Sequence, residues 1–266
     1  MKKLFVIALA FLATVSVNAQ EKQFGPEKGD FGVEVQFNPF SENLRTFKID
    51  GLKVRYNLSD KNAIRATIGF SVDNNTTRAT YVKPNEADYP TVNAYNMAKQ
   101  LYDKQLDDYT KTKYSTFSLD LGYERHLYQK GRVDLYAGAE IGIEKAWASS
   151  KSETVRGWTN VAGDAYTSWT INKDVTKGTN GTQNSSFGLN FAVFTGIDFY
   201  IVKGLYVGAE LGLNLNSSRD CNIKRENTIW TSATNSTTTN TERDVKGRNF
   251  NANIDVNPAL RIGWTF

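Results

Sequence analysis

Thirteen charged side chains in this chain share a periodicity. Glu34, Asp120, Glu124, Asp134, Glu140, Glu144, Asp198, Glu210 and Asp255 occupy polar positions in segments whose alternate positions are apolar. So do Lys53, Arg55, Arg65 and Arg261. Successive side chains of a strand point to opposite faces. All thirteen therefore share the face opposite the apolar one, nine carboxylates against four cations. Charges gathered in an enclosed space must pair or neutralise. The chemistry this predicts is a salt-bridged, hydrogen-bonded plug that holds strand register. A second reading is a narrow, cation-favouring path through the acidic excess.

Catalysis has little to draw on. His126 is the one histidine, beside the short turn Tyr128 to Arg132, where a solvated side chain is expected. Cys221, the one cysteine, opens a long polar stretch with no histidine near it in sequence, and it leaves no partner for an intrachain disulfide. There is no metal-ligand spacing and no phosphate-cradling glycine loop. Neither enzymatic activity nor a metal or cofactor is expected. Gly138, Gly142, Gly208 and Gly212 fall on the charged face, where they make room.

The elements that position these groups read as strands. In Leu205 to Asn216 the odd positions are Leu205, Val207, Ala209, Leu211, Leu213 and Leu215, and the even ones include Gly208, Glu210 and Asn214. The alternation is clean over twelve residues, longer than a typical soluble strand. Seven more segments repeat it: Phe31 to Asn38, about Phe47 to Leu58, Ala63 to Asp73, Tyr114 to His126, Val133 to Lys145, Ser185 to Val202 and Asn249 to Phe266. Connections alternate in length. Those after strands two, four and six are short, with Lys203 and Gly204 as a two-residue hairpin loop. Long insertions follow strands three, five and seven: Asn74 to Lys113, Ala146 to Asn184 and Ser217 to Arg248.

The chain starts with Lys2 and Lys3, an apolar run from Leu4 to Val17, and then Asn18, Ala19 and Gln20. This is the form of a secretory leader cleaved after Ala19. The run is too short to cross a bilayer as a helix, which needs about 20 residues. Without Lys2 and Lys3 the 32 basic residues become 30, against 28 acidic ones, too balanced for a nucleic-acid binder. Mean hydropathy is −0.47 although aromatics reach 12%. An exported chain that is polar on average can still be integral to a membrane as a barrel, with apolar side chains toward lipid and polar ones inside. Eight strands, short turns at one end and long loops at the other predict an all-β, eight-stranded, antiparallel up-and-down transmembrane barrel. Aromatics gather near both strand ends: Tyr56, Tyr123, Phe199, Trp264 and Phe266 at one, Phe37, Phe70, Phe117, Phe187 and Phe250 at the other. Two such belts mark membrane interfaces. A soluble lipocalin-like barrel would need none and would turn its apolar face inward. The expected organisation is a leader over 1–19, a loose periplasmic lead over 20–30 and a barrel over 31–266.

On these residues the chain resembles the small, eight-stranded outer-membrane β-barrel family, similar to the membrane domain of OmpA and to OmpX. The most specific piece is the C-terminal Ile262, Trp264 and Phe266. Members of the family end in an aromatic with another two residues earlier, and the barrel-assembly machinery reads that strand. The pattern departs at one place, where the family often has glycine and this chain has Arg261. No peptidoglycan-binding domain follows, so wall anchoring is not expected. The resemblance implies the outer membrane of a diderm bacterium, surrounding lipid, and the assembly machinery as a partner in biogenesis.

The long insertions are the remaining surface for function. The first holds a predicted helix running to about Tyr109, with Val92, Tyr95, Tyr102, Leu106 and Tyr109 at three-to-four spacing broken only by Lys99. That stripe would fold over the barrel mouth or stand exposed as a docking surface, since tyrosine is favoured at interfaces. The other two carry Trp158, Trp169 and Trp230 among Thr, Asn and Ser, which suit a glycan or protein partner and equally suit mobile loops. The expected role is structural or interaction-based, with a narrow porin-like channel or small-solute conduit as the alternative.

Overall fold

The computed structural model describes residues 24–37, 49–159, 166–231, 236–244 and 254–266. The expected leader, the connection around Pro39, and Phe47 and Phe250 lie outside the described residues. So do the side chains of Phe37, Trp158 and Asp255.

Eight strands close a ring. They are β1 (Phe31–Phe37), β2 (Ile49–Ser59), β3 (Asn62–Arg78), β4 (Tyr109–Lys130), β5 (Val133–Thr159), β7 (Ser186–Tyr200), β8 (Leu205–Asp220) and β11 (Ile254–Thr265). Each pairs antiparallel with its neighbour in that order. β11 then returns to β1, with Val35 opposite Ile262 and Gly32 opposite Thr265. Phe266 N–H donates to the Phe31 carbonyl at 2.9 Å and completes the seam. Closure leaves no backbone edge within the lipid, where an unpaired amide costs several kcal/mol.

The apolar positions face outward. Phe70 is 71% and Ile141 64% exposed, and Leu52, Leu121, Leu189 and Leu211 are exposed on the same surface. In water this would be an aggregation surface; in a bilayer it is the solvated face. Among the described residues no helix is long and apolar enough to cross a membrane.

The strands do not stop where their alternation fades. The sequence predicts β5 to end at Lys145, yet it runs 27 residues to Thr159. At about 3.3 Å per residue that is about 90 Å, against an apolar band of about 25 Å in this class of barrel. β3, β4 and β8 overshoot in the same direction. Three further strands, β6 (Tyr166–Lys177), β9 (Ile223–Thr231) and β10 (Ser236–Asp244), occupy the second and third insertions. β6 pairs with outer β5, β9 with β6, and β10 with β9. The result is an extracellular sheet continuous with the barrel wall. Outside lipid neither sheet face must be apolar, so Ser, Thr and Lys continue the strand without a hydrophobic period.

The predicted helix is α1 (Val92–Gln105). Thr91 caps it by accepting a hydrogen bond from Ala94 N–H at 3.1 Å. It buries Ala94, Ala98 and Leu101, while Val92 and Leu106 are exposed. The face chosen is thus the small-residue face and not the tyrosine stripe. Small side chains let the helix lie flat, and it packs on β5 and β6 rather than over the barrel mouth.

Two further expectations change. The turn between β7 and β8 has four residues, 201–204, closed by Ile201 N–H to the Leu205 carbonyl, with Gly204 at φ 85°. Residues 24–30 are not loose. Gly29 N–H donates to the Asn57 carbonyl, and Asn57 N–H donates to that of Asp30. The lead thereby extends the sheet past the start of β1 and closes the periplasmic rim.

A ring closed by hydrogen bonds predicts heat-modifiable gel mobility. Unheated protein in dodecyl sulfate should migrate as a compact species and shift to the mass of the chain after boiling. Identical mobility before and after boiling would count against closure.

Candidate functional site

The interior is organised by four cations. Lys53 and Arg55 come from β2, Arg65 from β3 and Arg261 from β11, all at inward positions flanked by outward apolar ones. Lys53 Nζ lies 3.1 Å from Glu210 and 3.5 Å from Glu34. Arg55 reaches Glu124 at 2.8 Å, Asp198 at 3.1 Å and Glu34 at 3.8 Å. Arg65 reaches Glu140 at 2.7 Å, Glu210 at 2.8 Å and Glu124 at 3.0 Å. Arg261 pairs with Asp198, with Glu34 at 3.2 Å and with Glu210 at 3.2 Å.

These contacts form one connected network, and each of the eight ring strands supplies at least one member. All its members are buried except Glu140, which is partly exposed. Every cation meets at least two carboxylates and every carboxylate but Glu140 at least two cations, so removal of one cation leaves each of two or three buried carboxylates with one counter-charge fewer, and loss of Arg65 leaves Glu140 with none. Aromatics line the spaces between. Tyr206 O–H donates to Glu34 at 2.8 Å and Tyr136 O–H to Glu210 at 3.0 Å. The Arg261 guanidinium sits 4.9 Å from the Tyr136 ring centre, and Arg65 lies over Phe194. The phenols need glycine opposite them: a methyl at Gly196 would overlap the Tyr136 hydroxyl, and one at Gly263 the Tyr206 ring.

The remaining inward acids sit apart. Asp120 accepts a hydrogen bond from Asn190 at 3.0 Å in a polar vestibule of about 160 Å³ on the extracellular side of the network. Glu144 is exposed still further out. Asp134 lies toward the periplasm, its carboxylate 2.7 Å from His126 Nδ1. His126 is therefore not a solvated turn residue; it is 3% exposed. Its parity on β4, two residues beyond Glu124, was the signal for an inward position. The same parity marks Tyr136 and Tyr206, whose bonds to the network were not anticipated.

The C-terminal residues lie on the lipid face. Ile262 and Trp264 are exposed outward, and the Trp264 and Phe266 rings are 6.4 Å apart.

Of the loop aromatics, Tyr109, Trp169 and Trp230 are brought to one sheet, while Tyr95 and Tyr102 lie half-buried on α1. Tyr95 packs near Tyr89. Val155, Ile171 and Trp230 are register partners across β5, β6 and β9 and form the sheet's apolar row. Lys104 of α1 lies 5.1 Å from the Trp169 ring centre, and Gln105 donates to the Val155 carbonyl at 3.2 Å. Asp108 is the latch. Buried at 1% exposure, it accepts from Val155 N–H at 2.9 Å and from Tyr81 O–H at 2.5 Å. The bond to Asp108 raises the Tyr81 pKa above its ordinary 10.0.

A closed antiparallel ring with an apolar exterior and a self-filled ionic interior defines an integral outer-membrane β-barrel. The sequence matches the OmpA-OmpF-like porin family over residues 38–214, and the chain belongs to that family. No curated protein sequence matches it. Among solved structures it is similar to a major outer membrane protein from Thermus thermophilus, at 12% identity and TM-score 0.36, covering 89% of this chain and 98% of that one. It is also similar to Ail, the attachment invasion locus protein of Yersinia pestis, at 11% identity and TM-score 0.30, covering 90% and 99%. A third is CarO of Acinetobacter baumannii, at 10% identity and TM-score 0.31, covering 90% and 97%. The architecture here rests on the strand pairing, not on these similarities.

Breaking a buried ion pair from one side costs about 3–5 kcal/mol. Arg65→Ala and Arg261→Ala should each lower unfolding stability by that amount in urea titrations of the detergent-folded barrel. Glu144→Gln, outside the network, should stay within about 0.5 kcal/mol of the parent. Asp108→Ala should release α1, seen as faster limited proteolysis between residues 79 and 108 while the barrel core survives.

Proposed function

We propose that this protein is a closed, non-enzymatic outer-membrane barrel with a structural and interaction role, which holds an extracellular sheet and helix at the cell surface. The observation that carries the reading is the ionic network. It joins all eight strands across the lumen, so the polar interior serves to lock the wall. The vestibule of about 160 Å³ ends on this network. His126 supports the non-enzymatic reading, because its imidazole is buried with Asp134 at the periplasmic end, where a substrate has no access to it. The platform above the membrane supports the interaction role. Tyr109, Trp169 and Trp230 stand on its wall, where stacking on a sugar or packing against a protein surface would use them. Export through a leader ending at Ala19, and recognition of Ile262, Trp264 and Phe266 by the assembly machinery, complete the reading.

The lumen decides between this role and a narrow conduit. In a planar bilayer at moderate salt the purified barrel should give no steady open current. Sustained ohmic steps from the wild-type chain would overturn the closed reading and favour a small-solute or cation path past Asp120 and Glu140.

A further inference from the structure

Charge on the extracellular sheet is divided by face. Strand parity carries the lumen-facing side of the barrel onto one face and the lipid-facing side onto the other. The continuation of the lumen side mixes Asp174 and Glu242 with Arg156 and Arg225 among Ser and Thr. The continuation of the lipid side is basic, and its basic part begins at the edge of the apolar belt.

The apolar belt ends on β3 and β5 at Val72, 52% exposed, and Trp147, 49% exposed. Two residues further out, about 7 Å, Lys113 and Lys177 stand in one row, with Ser149 between them as the register partner of both. Lys111 and Lys151 are direct partners in the next row, and Arg78 stands opposite Tyr109 in the third. These five cations and Tyr109 line an open groove of about 540 Å³ whose wall, among the described residues, holds no acidic side chain. Tyr109 lies under Lys151, its ring centre 5.9 Å from Nζ. Two acids on this face flank the groove: Glu153, the register partner of Tyr109, is engaged by Lys173 at 3.4 Å, and Glu226 on β9 is the register partner of the lining residue Val175.

We propose that this groove binds the phosphates of a phosphorylated glycolipid in the outer leaflet of the barrel's own membrane. Two features of the groove select that occupant. The groove is continuous with the lipid-facing surface, so a lipid whose acyl chains lie against Phe70, Phe117 and Trp147 brings its headgroup level with the lysine rows. The charge is complementary, since flexible ammonium groups on facing strands can enclose a phosphate from several sides, and tyrosine and lysine suit the interfacial depth. The assignment rests on the membrane placement, not on the closed lumen, so bilayer currents and lipid binding fail independently.

The test uses the full chain, delipidated and placed in neutral phospholipid nanodiscs with a bis-phosphorylated glycolipid or its dephosphorylated form. Native mass spectrometry counts the bound glycolipid. Wild type should retain the phosphorylated form preferentially, and less of it as salt rises. The triple variant Lys111→Gln, Lys113→Gln, Lys151→Gln should bind it roughly a hundred-fold more weakly. Should that variant fail the heat-shift test for folding, the pair Arg78→Gln, Lys177→Gln serves instead and should also weaken binding. Lys61→Gln with Lys130→Gln, at the periplasmic turns, should bind as wild type. Three results overturn the proposal: unchanged binding by the folded groove variants, equal retention of the dephosphorylated lipid, or full displacement by inorganic pyrophosphate at equal phosphate concentration. The last would mark a site for soluble phosphate only.

Discussion

Arg261 stands in a lumen whose wall faces lipid. In that position a guanidinium needs carboxylates around it, because an unpaired charge in a confined, poorly hydrated space is costly. It has three, brought by β1, β7 and β8. The same holds for Lys53, Arg55 and Arg65. A slip of one residue in any strand would turn these charges to the lipid side, where a basic residue at the midplane costs about 2–4 kcal/mol. Pairing inside and exclusion outside act on the same strands, so the network specifies register around the ring. The glycines opposite Tyr136 and Tyr206 follow from it, since phenols that bond to the carboxylates need space on the facing strand.

Beyond the membrane the constraint changes. Strands that leave the lipid keep their backbone pairing but lose the demand for an apolar face. The extracellular sheet therefore makes its own small core. α1, with Ala94, Ala98 and Leu101 buried, packs on β5 and β6, the strands that carry Val155 and Ile171, and Asp108 ties the loop to the strand backbone through Val155 N–H. Its last strand, β10, is exposed at every position and rich in Thr, with Glu242, Arg243 and Asp244 at its end. Charged and hydroxyl side chains on an open edge discourage pairing with other chains. Arg261 also gives a physical account of the one departure in the C-terminal strand. Where glycine is usual, this chain has the arginine that ties its last strand to the first.

The ring was legible in the residues because lipid on one side and charge on the other impose a period of two, and the alternation in Leu205 to Leu215 states it directly. The inward position of each network member followed from parity alone. His126 was legible too by parity, and reading it as a turn residue failed because the turn lies further along, past Leu127. The helix in the first insertion was legible from its spacing. Its buried face was not, because the tyrosine stripe and the alanine stripe compete, and the partner surface, a sheet with shallow side chains, favours the smaller one.

By itself the sequence determined which side chains share a face, how many times the chain crosses, and that the crossings need lipid. Those are local properties, set by periodicity and by the cost of unpaired backbone in a membrane. Only the tertiary structure decided which carboxylate meets which cation, since partners such as Glu34 and Arg261 are 227 residues apart and their meeting depends on ring closure. It alone extended the wall outward as a sheet, because pairing between Ser, Thr and Lys strands outside lipid leaves no hydrophobic period to read. It alone gathered Arg78, Lys111, Lys113, Lys151 and Lys177, from four strands, above one stretch of membrane.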